Sequence, residues 1–438
     1  MRLWPTGGLW RHPDFVKLWS AETVSQFGTQ FTQLALPLVA IDVVHASAFE
    51  VAALTTVEFL PFLLVSLPAG VWVDRLRRRP ILVIGDLSRA LLLASVPIVY
   101  WSGSVTMTQL YVVGFLVGIA TVFFDVAYQS YLPSLVERQQ LIDGNAKLEI
   151  SRAGAQLGGP GLAGLVINFL RAPAAIAFDA VSFVGSALFI FGIRKQERTE
   201  AQAPRRRMRE ELREGLRYVL THPFLKNIAA CTALFNFFGN MGFAVLLVFA
   251  RRDLHLSPLA IGLAFTLSNV GPLLAAFNAS RISSRFGVGR TIIASAVIGG
   301  PMFLVIPFAP EGNAALAFII PAFIVGGLSN VIYNVTQVSL RQAITPERIQ
   351  GRMNSVMRFI VWGTIPLGSL IGGVLASKIG VKETLIVGGV GSCLPFLPVL
   401  FSPVRDVKEM PEPVDEAAAV LGPLVADAAP VPAEHLGN

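Results

Sequence analysis

Twelve long apolar runs constrain this chain more than any other feature of its sequence. A hydrocarbon core about 30 Å thick needs about 20 apolar residues in a helix to cross it. Helices are the default spanning form, because in lipid every backbone polar group must be satisfied within the segment. The sequence therefore predicts an all-α membrane protein with about twelve transmembrane helices. The predicted spans lie near residues 18–44, 50–73, 80–100, 107–130, 145–169, 174–193, 224–249, 258–280, 290–309, 313–338, 355–377 and 383–403.

The distribution of charge supports this interpretation and predicts an orientation. Only 14% of the residues are charged, whereas a soluble domain carries about 25%. Lysine and arginine concentrate in the loops on one side of the predicted spans, and such loops face the cytoplasm. The net charge of +7 is therefore a topology signal rather than a nucleic-acid footprint. We expect a multi-pass protein of the cytoplasmic membrane, with both termini in the cytoplasm and no nucleic-acid partner.

The two halves of the chain repeat each other. Segment 70–80 (GVWVDRLRRRP) corresponds to segment 280–290 (SRISSRFGVGR), and segment 129–151 corresponds to segment 337–359, with an offset of about 209 residues. Repeated bundles suit alternating access to a site between them. The linker is expected to form either an amphipathic helix on the membrane face or a solvated connection. The predicted units are an N-terminal six-helix bundle, a cytoplasmic linker, a C-terminal six-helix bundle and a disordered cytoplasmic tail, at 1–193, 194–223, 224–404 and 405–438.

The loop between the second and third predicted spans, GVWVDRLRRRP, resembles the signature loop of the Major Facilitator Superfamily. The matching positions are Gly70, Asp74, Arg75, Arg78 and Arg79. Arg77 stands where the family has its second glycine. The resemblance implies the Major Facilitator fold of two pseudo-symmetric six-helix bundles, and it assigns this loop to gating. It also implies that Asp125 pairs with the loop through an arginine such as Arg78. The alternative is a basic loop that only sets topology.

The run AQLGGPGLAG at 155–164 resembles the antiporter motif of the fifth helix, with Gly159, Pro160 and Gly164 at matching positions. In the superfamily this pattern accompanies exporters more than importers. The alternative is generic close packing of small residues beside a proline bend. Further matches, among them FDAVSF and EGLRYVLTHPFL, extend over about residues 13–404. Together they resemble the third drug–proton antiporter group, which holds macrolide-efflux and enterobactin-export proteins.

Ionisable residues inside a predicted span are functional candidates by default. Asp86 and Arg89 are three residues apart on one helix face, so they can neutralise each other. Glu58 has no basic residue three or four positions away and lies near the middle of its span. A fixed charge at that depth is costly, so this carboxyl must be neutral part of the time or face water. We predict proton coupling at Glu58, with Asp179 as the second choice; the alternative is a neutral, hydrogen-bonded carboxyl.

Polar uncharged residues form stripes on three of the predicted spans. The stripes on the first, seventh and tenth spans include Gln26, Gln30, Gln33, Asn236, Asn240 and Asn334. Such residues either join helices by hydrogen bonds or line water. In the superfamily that this chain resembles, the first and seventh helices line the central cavity, which favours substrate contact. The phenylalanines expected beside them are Phe59, Phe62, Phe235 and Phe237.

These features favour a secondary transporter, namely a proton-coupled exporter of small amphipathic or hydrophobic molecules. The sequence has no G-x-x-x-x-G-K-[ST] motif and no catalytic cluster, so neither ATP-driven transport nor an enzyme is expected. We expect no cofactor and no metal, with the proton gradient as the energy source, and a monomer in the bilayer. The alternatives are a facilitator or lipid flippase of the same fold, and a membrane scaffold or sensor that does not transport.

Overall fold

The structure is a computed structural model that describes residues 8–137, 140–195 and 208–411. These residues form helices joined by short turns, and no strand occurs among them. The helices of the first half are α1 (Pro13–Asp42), α2 (Ala48–Leu64), α3 (Ser66–Arg75), α4 (Arg78–Trp101), α5 (Met107–Leu135), α6 (Leu141–Leu170) and α7 (Ala172–Phe191). A connecting helix, α8 (Met208–Thr221), follows. The helices of the second half are α9 (Pro223–Val248), α10 (Pro258–Ser268), α11 (Val270–Phe286), α12 (Val288–Gly299), α13 (Met302–Val305), α14 (Leu316–Ala343), α15 (Glu347–Ile379), α16 (Val381–Gly391) and α17 (Phe396–Leu400).

These helices form about twelve crossings, because several neighbouring helices are two parts of one broken span. Nine helical stretches of the described chain are long and apolar enough to cross a membrane. The remaining crossings are α1, α6 and the broken pair of α2 and α3. A break follows Pro61 between α2 and α3, and another falls at Gly300 and Pro301 between α12 and α13. Proline removes a helical hydrogen bond, so a span predicted as continuous is divided there.

The backbone geometry of the turns repeats between the two halves. A positive φ is rare for residues other than glycine, yet three turns with positive φ recur about 210 residues later. The pairs are His45 (φ 56°) and His255 (φ 52°), Gly103 (φ 77°) and Gly312 (φ 72°), and Arg171 (φ 70°) and Gly380 (φ 103°). The predicted architecture of two related bundles is thus confirmed down to individual turns.

The first helix of each half also begins in the same way. The His12 ring accepts a hydrogen bond from the Phe15 N–H at 3.1 Å, and the His222 ring accepts one from the Phe224 N–H at 3.3 Å. A proline follows each histidine, in the position where its missing N–H is not needed. Each histidine therefore satisfies a backbone donor that the start of its helix leaves without a partner.

The two ends of the bundle are named here by their turns. The basic end holds the turns at 76–77, 136–137, 192–195, 287 and 344–346. The far end holds the turns at 43–47, 102–106, 171, 254–257, 309–311 and 380.

The buried cores show where the two halves meet. At the far end, a single hydrophobic core takes residues 34–41 of α1 together with residues of α9 and α10. Toward the basic end the cores of the two halves are separate: one lies around Phe15 in the first half, and one around Leu225 and a smaller one around Ala279 lie in the second. The halves are therefore packed together at the far end and apart at the basic end.

The connecting helix α8 lies against the second half at the basic end. The Glu214 carboxylate is 2.6 Å from the Arg352 guanidinium, and the Tyr218 hydroxyl donates to the Ile344 carbonyl at 3.3 Å. Val219 is fully buried in this contact. Residues 196–207 of the linker and 412–438 of the tail lie outside the described residues, so the predictions for them stay predictions.

Candidate functional site

A cavity of about 950 Å³ lies between the two halves and is lined by helices of both. Arg152, near the basic-end start of α6, lines this cavity, and its side chain is 53% exposed. Residues of α1 near the far end, such as Leu36, are fully buried. The cavity therefore opens at the basic end and is closed at the far end.

Polar contacts close the far end across the two halves. The Arg251 guanidinium lies 3.0 Å from the Asp42 carboxylate, and Arg252 donates to the Ala46 carbonyl at 2.6 Å. These four residues are called the far-end clasp below. They tie the end of α1 and the turn after it to the short helical segment that follows α9, next to the shared hydrophobic core.

The predicted polar stripes on α1 and α9 line the central cavity. Gln26, Gln30 and Gln33 lie on the cavity face of α1, and Asn236 and Asn240 face them from α9. The period of the helix puts residues three and four apart on one face, so this part of the site was readable from the sequence.

Aromatic rings supply the apolar part of the wall. Phe62 of this wall packs against Trp362 of the other half, which does not itself line the central cavity, with ring centroids 4.7 Å apart. Phe59, Phe62 and Phe235 line the cavity as predicted, but Phe237 is not among its lining residues. The Phe237 ring packs against Phe238 instead, with centroids 5.1 Å apart. Trp362 could not be predicted from the sequence, because its partner Phe62 lies 300 positions earlier in the chain.

Glu58 lines the central cavity from α2. Two glycines of α5 make room for it: a Cβ added to Gly114 would lie 3.1 Å from the Glu58 Cγ, and one on Gly118 would lie 2.7 Å from the Glu58 carbonyl oxygen. The Glu58 carboxyl has no hydrogen bond or ion pair with any residue that the structure describes. It is a carboxyl held in the membrane part of the molecule, facing a cavity.

The other buried acids of the first half have partners. The Asp86 carboxylate lies 2.5 Å from the Arg89 guanidinium and accepts a hydrogen bond from the Ser186 hydroxyl at 2.7 Å. The Arg89 guanidinium carbon lies 4.2 Å from the ring centroids of both Phe124 and Phe183. The predicted pair of Asp86 and Arg89 is thus present, and it is enclosed by aromatic rings that favour a cation.

Asp179 and Glu22 lie close to this pair. Asp179 is 1% exposed and accepts a hydrogen bond from the Ser182 hydroxyl at 3.1 Å. Glu22 is 7% exposed and accepts one from the Gln26 amide at 2.7 Å. Because α1 begins at Pro13, Glu22 lies more than two turns into the helix and is buried within the packed bundle.

The antiporter-like motif forms the contact between α6 and α10. A Cβ on Gly262 would lie 2.3 Å from the Pro160 carbonyl oxygen and 2.9 Å from the Gly164 Cα. A Cβ on Gly159 would lie 2.4 Å from the Gln30 Cγ. Small residues are therefore required here so that helices of opposite halves touch through their backbones and Gln30 fits against α6.

Pro160 also creates a polar link between the halves. Its missing N–H leaves the Gln156 carbonyl without its helical donor. The Asn269 amide donates to that carbonyl at 2.8 Å, and the Gly161 N–H donates to the Thr266 hydroxyl at 2.9 Å. Asn269 lies in the break between α10 and α11. The segment of α6 around Pro160 is therefore hydrogen-bonded to the break between α10 and α11 in the other half.

The loop with the Major Facilitator signature connects α3 to α4 at the basic end. Gly70 lies within α3, and the side chains of Asp74 and Arg75 lie outside what the structure describes. Arg79 donates to two carbonyls at the end of α7, those of Ile190 (3.3 Å) and Phe191. The loop is thereby tied to its own half.

Asp125 of α5 lies near the positive charges of Arg89, Arg152 and Arg358. The last of these belongs to the second half. The pairing of Asp125 with Arg78 stays a prediction.

Comparison with known families covers almost the whole chain. The family model described as transmembrane secretion effector matches residues 8–428. The chain belongs to this family of Major Facilitator Superfamily transporters.

Relatives and solved structures agree with this assignment. The transporter is 28% identical over 392 residues to the multidrug efflux pump Tap of Mycolicibacterium fortuitum, covering 86% of this chain and 92% of that protein. It is 23% identical over 384 residues to macrolide efflux protein A of Streptococcus pyogenes, covering 86% and 92%. A bacterial homologue of the iron transporter ferroportin, solved in its inward-facing state, has a TM-score of 0.73 at 18% identity and covers 90% of this chain and 99% of that one. The predicted superfamily, fold and likeness to efflux proteins are confirmed.

The transporter has a second cavity, of about 390 Å³, within its second half at the basic end. Asn334, predicted for the central cavity, lines this second cavity instead. One turn earlier on α14, Asn330 lines both. The sequence placed Asn334 on the correct helix face but could not give its depth, because the boundary between the cavities depends on α15.

Proposed function

We propose that this transporter is a proton-coupled exporter, which moves small amphipathic or hydrophobic molecules out of the cytoplasm by alternating access. The observation that carries the proposal is Glu58, whose carboxyl lines the central cavity without a partner among the described residues. A carboxyl in a membrane protein interior is costly as a fixed charge and marks a proton or ion pathway. Protonation from one side and release to the other would couple its charge to the movement of the halves.

Glu58 is preferred over the other acids because of its surroundings. Asp86 is bound to Arg89, and Asp179 accepts a hydrogen bond from Ser182. Removing a proton from Glu58, or adding one, breaks no such contact. Asp179 also lines the central cavity and is the second candidate.

The proposed orientation follows from the loops. The basic end carries most of the lysine and arginine of the short loops, so it faces the cytoplasm together with both termini. The central cavity then opens to the cytoplasm, where an exporter loads. Two relatives are named as efflux pumps for drugs or macrolides, which supports the same direction of transport.

Alternating access requires the two ends to exchange roles. The far-end clasp and the shared core have to separate, while the basic-end cores of the two halves approach each other. The signature loop at 70–80 is proposed to hold the basic end closed in the other state. All parts of the cavity come from one chain, so a monomer suffices, and the proton gradient supplies the energy without a cofactor.

The test uses purified protein in liposomes with an imposed pH gradient and three fluorescent amphiphiles, one cationic, one neutral and one anionic. We expect Glu58→Gln to bind substrate and to exchange it passively, but to lose acceleration by the gradient. The matched control is Glu50→Gln, the same chemical change on the same helix at an exposed capping position.

The outcomes separate the candidate functions. Full gradient-driven transport by Glu58→Gln would make Glu58 a structural carboxyl and leave Asp179 as the coupling group. Transport that ignores the gradient in the wild type would indicate a facilitator or flippase. The absence of transport of every amphiphile would favour a scaffold or sensor.

A further inference from the structure

The second cavity differs in chemistry from the central one. It is enclosed by α9, α14 and α15 of the second half. Its lining residues include two arginines, Arg341 and Arg358, and no aspartate or glutamate. Amide side chains make up much of the remaining wall, from Asn236, Asn334 and Asn354 among others. The cavity is therefore positively charged and rich in hydrogen-bond donors.

One face of α14 supplies a continuous polar ladder in this cavity. The Asn334 amide donates to the Asn330 side-chain oxygen at 2.9 Å, and the Gln337 amide donates to the Asn334 side-chain oxygen at 3.3 Å. Arg341 follows one turn later on the same face. Arg341 falls outside the predicted span 313–338, but it lies inside α14 and is only 8% exposed.

Arg341 is a buried cation without a protein acceptor. Its guanidinium makes no hydrogen bond or ion pair with any described residue, and its Nε is buried. The nearby Tyr333 hydroxyl is engaged with the Thr232 hydroxyl at 2.8 Å. Arg358 differs, because it interacts electrostatically with the nearby carboxylate of Asp125. A buried charge without a counter-charge is strongly unfavourable, which indicates that an anion completes this site.

We propose that the second cavity binds the anionic group, a carboxylate or a phosphate, of an amphipathic molecule, with Arg341 as its principal partner. A guanidinium presents donors in a fork that matches both groups. Phe235, Asn236 and Asn330 line both cavities. The apolar part of the same molecule therefore reaches the aromatic wall of the central cavity. This assignment of substrate class rests on the proposed transport function, but the anion site itself does not.

The test measures binding to purified full-length protein in nanodiscs of phosphatidylcholine. The probes are 11-(dansylamino)undecanoic acid and its methyl ester, which share the apolar part and differ in charge. We expect the acid to bind about tenfold more tightly than the ester, as one hydrogen-bonded charge contact gives. Arg341→Gln should abolish this preference, and Arg341→Lys should retain part of it.

Arg217→Gln is the matched control, because Arg217 is exposed on α8 and outside both cavities. It should leave the preference unchanged. Equal binding of acid and ester to the wild type, or an unchanged preference in a folded Arg341→Gln protein, would overturn the inference.

Two further arms identify the natural source of the anionic group. Displacement of the acid probe by phosphatidylglycerol in the nanodisc would assign the site to a lipid headgroup, and displacement by millimolar inorganic phosphate would assign it to a free anion. Either result supports an anion site. Gradient-driven export of the neutral amphiphile without any acid preference would remove this inference and leave the proposed function intact. Preferential binding of the acid probe by a protein that transports no amphiphile would support the anion site and contradict the proposed transport function.

Discussion

The two halves of the transporter share a backbone plan but not their interior charges. Turns with positive φ and capping histidines recur at an offset of about 210 residues. The buried carboxyls do not. At the positions 210 residues after Glu58, Asp86 and Arg89, the second half has Ser268, Ala296 and Gly299.

This difference teaches that the fold does not need the charges. In the part that the structure describes, the second half forms the same six-helix plan without a buried ion pair like that of Asp86 and Arg89. Its own buried cation, Arg341, lies in a cavity instead of an ion pair. Charges that are costly in the membrane and not needed by the fold mark functional sites, which agrees with the proposed proton coupling in the first half and the proposed anion site in the second.

The largest expected effect comes from removing the cation of the first half. Arg89→Gln leaves the Asp86 carboxylate buried without its partner. Breaking one side of a buried pair costs about 3–5 kcal/mol, so we expect low yield and a strongly reduced thermal midpoint in detergent. The double variant Asp86→Asn with Arg89→Gln should recover much of the loss.

The control is Arg152→Gln, which breaks an exposed pair with Glu149 and should change the midpoint little. A single Arg89→Gln variant as stable as the wild type would show that the Asp86 carboxyl is neutral in the folded protein.

The next effect concerns the contact between the halves. Gly262→Ala places a Cβ 2.3 Å from the Pro160 carbonyl oxygen, so α6 and α10 have to move apart. Such overpacking costs about 1–3 kcal/mol. Gly239→Ala in α9 meets nothing within 4 Å, and the higher helix propensity of alanine should make it neutral or slightly stabilising. Thermal unfolding should give a lower midpoint for Gly262→Ala than for Gly239→Ala. Equal midpoints would mean that the contact between α6 and α10 has room for the added methyl group.

A smaller effect is expected at the far-end clasp. Arg251→Gln removes a partly exposed ion pair between the halves, and such pairs contribute about 0.2–1 kcal/mol. We expect a cysteine at position 38, now fully buried and outside the lining of the central cavity, to react about two- to fivefold faster with a water-soluble thiol reagent. Arg405→Gln, which breaks an exposed pair elsewhere, is the control. An unchanged rate in Arg251→Gln would assign closure to the hydrophobic core alone.

The smallest effect concerns the capping histidine of the second half. Burial lowers the pKa of His222, and only the neutral ring accepts from the Phe224 N–H. The stabilisation is thus fully present above the ordinary histidine pKa of about 6.5 and is lost as the pH falls through the lower folded value. The loss should be about 1 kcal/mol, the size of a helix cap.

His222→Asn keeps a capping acceptor and cannot titrate in this range. Its thermal midpoint should therefore fall less than that of the wild type between pH 7 and pH 5. If the thermal midpoints of the wild type and His222→Asn fall equally between pH 7 and pH 5, the His222 cap does not titrate in that range.

Most of the fold and one part of the site could be predicted from the sequence. Apolar runs set the crossings, because the bilayer fixes the length of a helix. The stripe of Gln26, Gln30 and Gln33 faces the cavity because helical spacing alone puts these residues on one side. Glu58 was singled out correctly as lacking a local partner, since that property depends on its own helix.

The remainder depends on neighbours that are distant in the sequence. Arg341 falls outside the predicted span 313–338 because the apolar run ends before it, while the helix continues to Ala343. Its spacing of seven from Asn334 was the signal that could have placed it on the polar face. The charges near Asp125 come from three different helices, and no pattern along the chain contains that information.

Glu22, Asp86, Arg89 and Asp179, called the buried network here, have a consequence for the order in which the two halves can assemble. Its members, from Glu22 to Asp179, all lie in the first six crossings. Their charges therefore have their partners before the ribosome has reached the second half. The far-end part of α1, in contrast, waits for α9 and α10, which emerge about 200 residues later. That segment is apolar, so lipid can cover it in the meantime, and the nascent chain never has to hold an unpaired member of the network in the bilayer while the second half is still being synthesised.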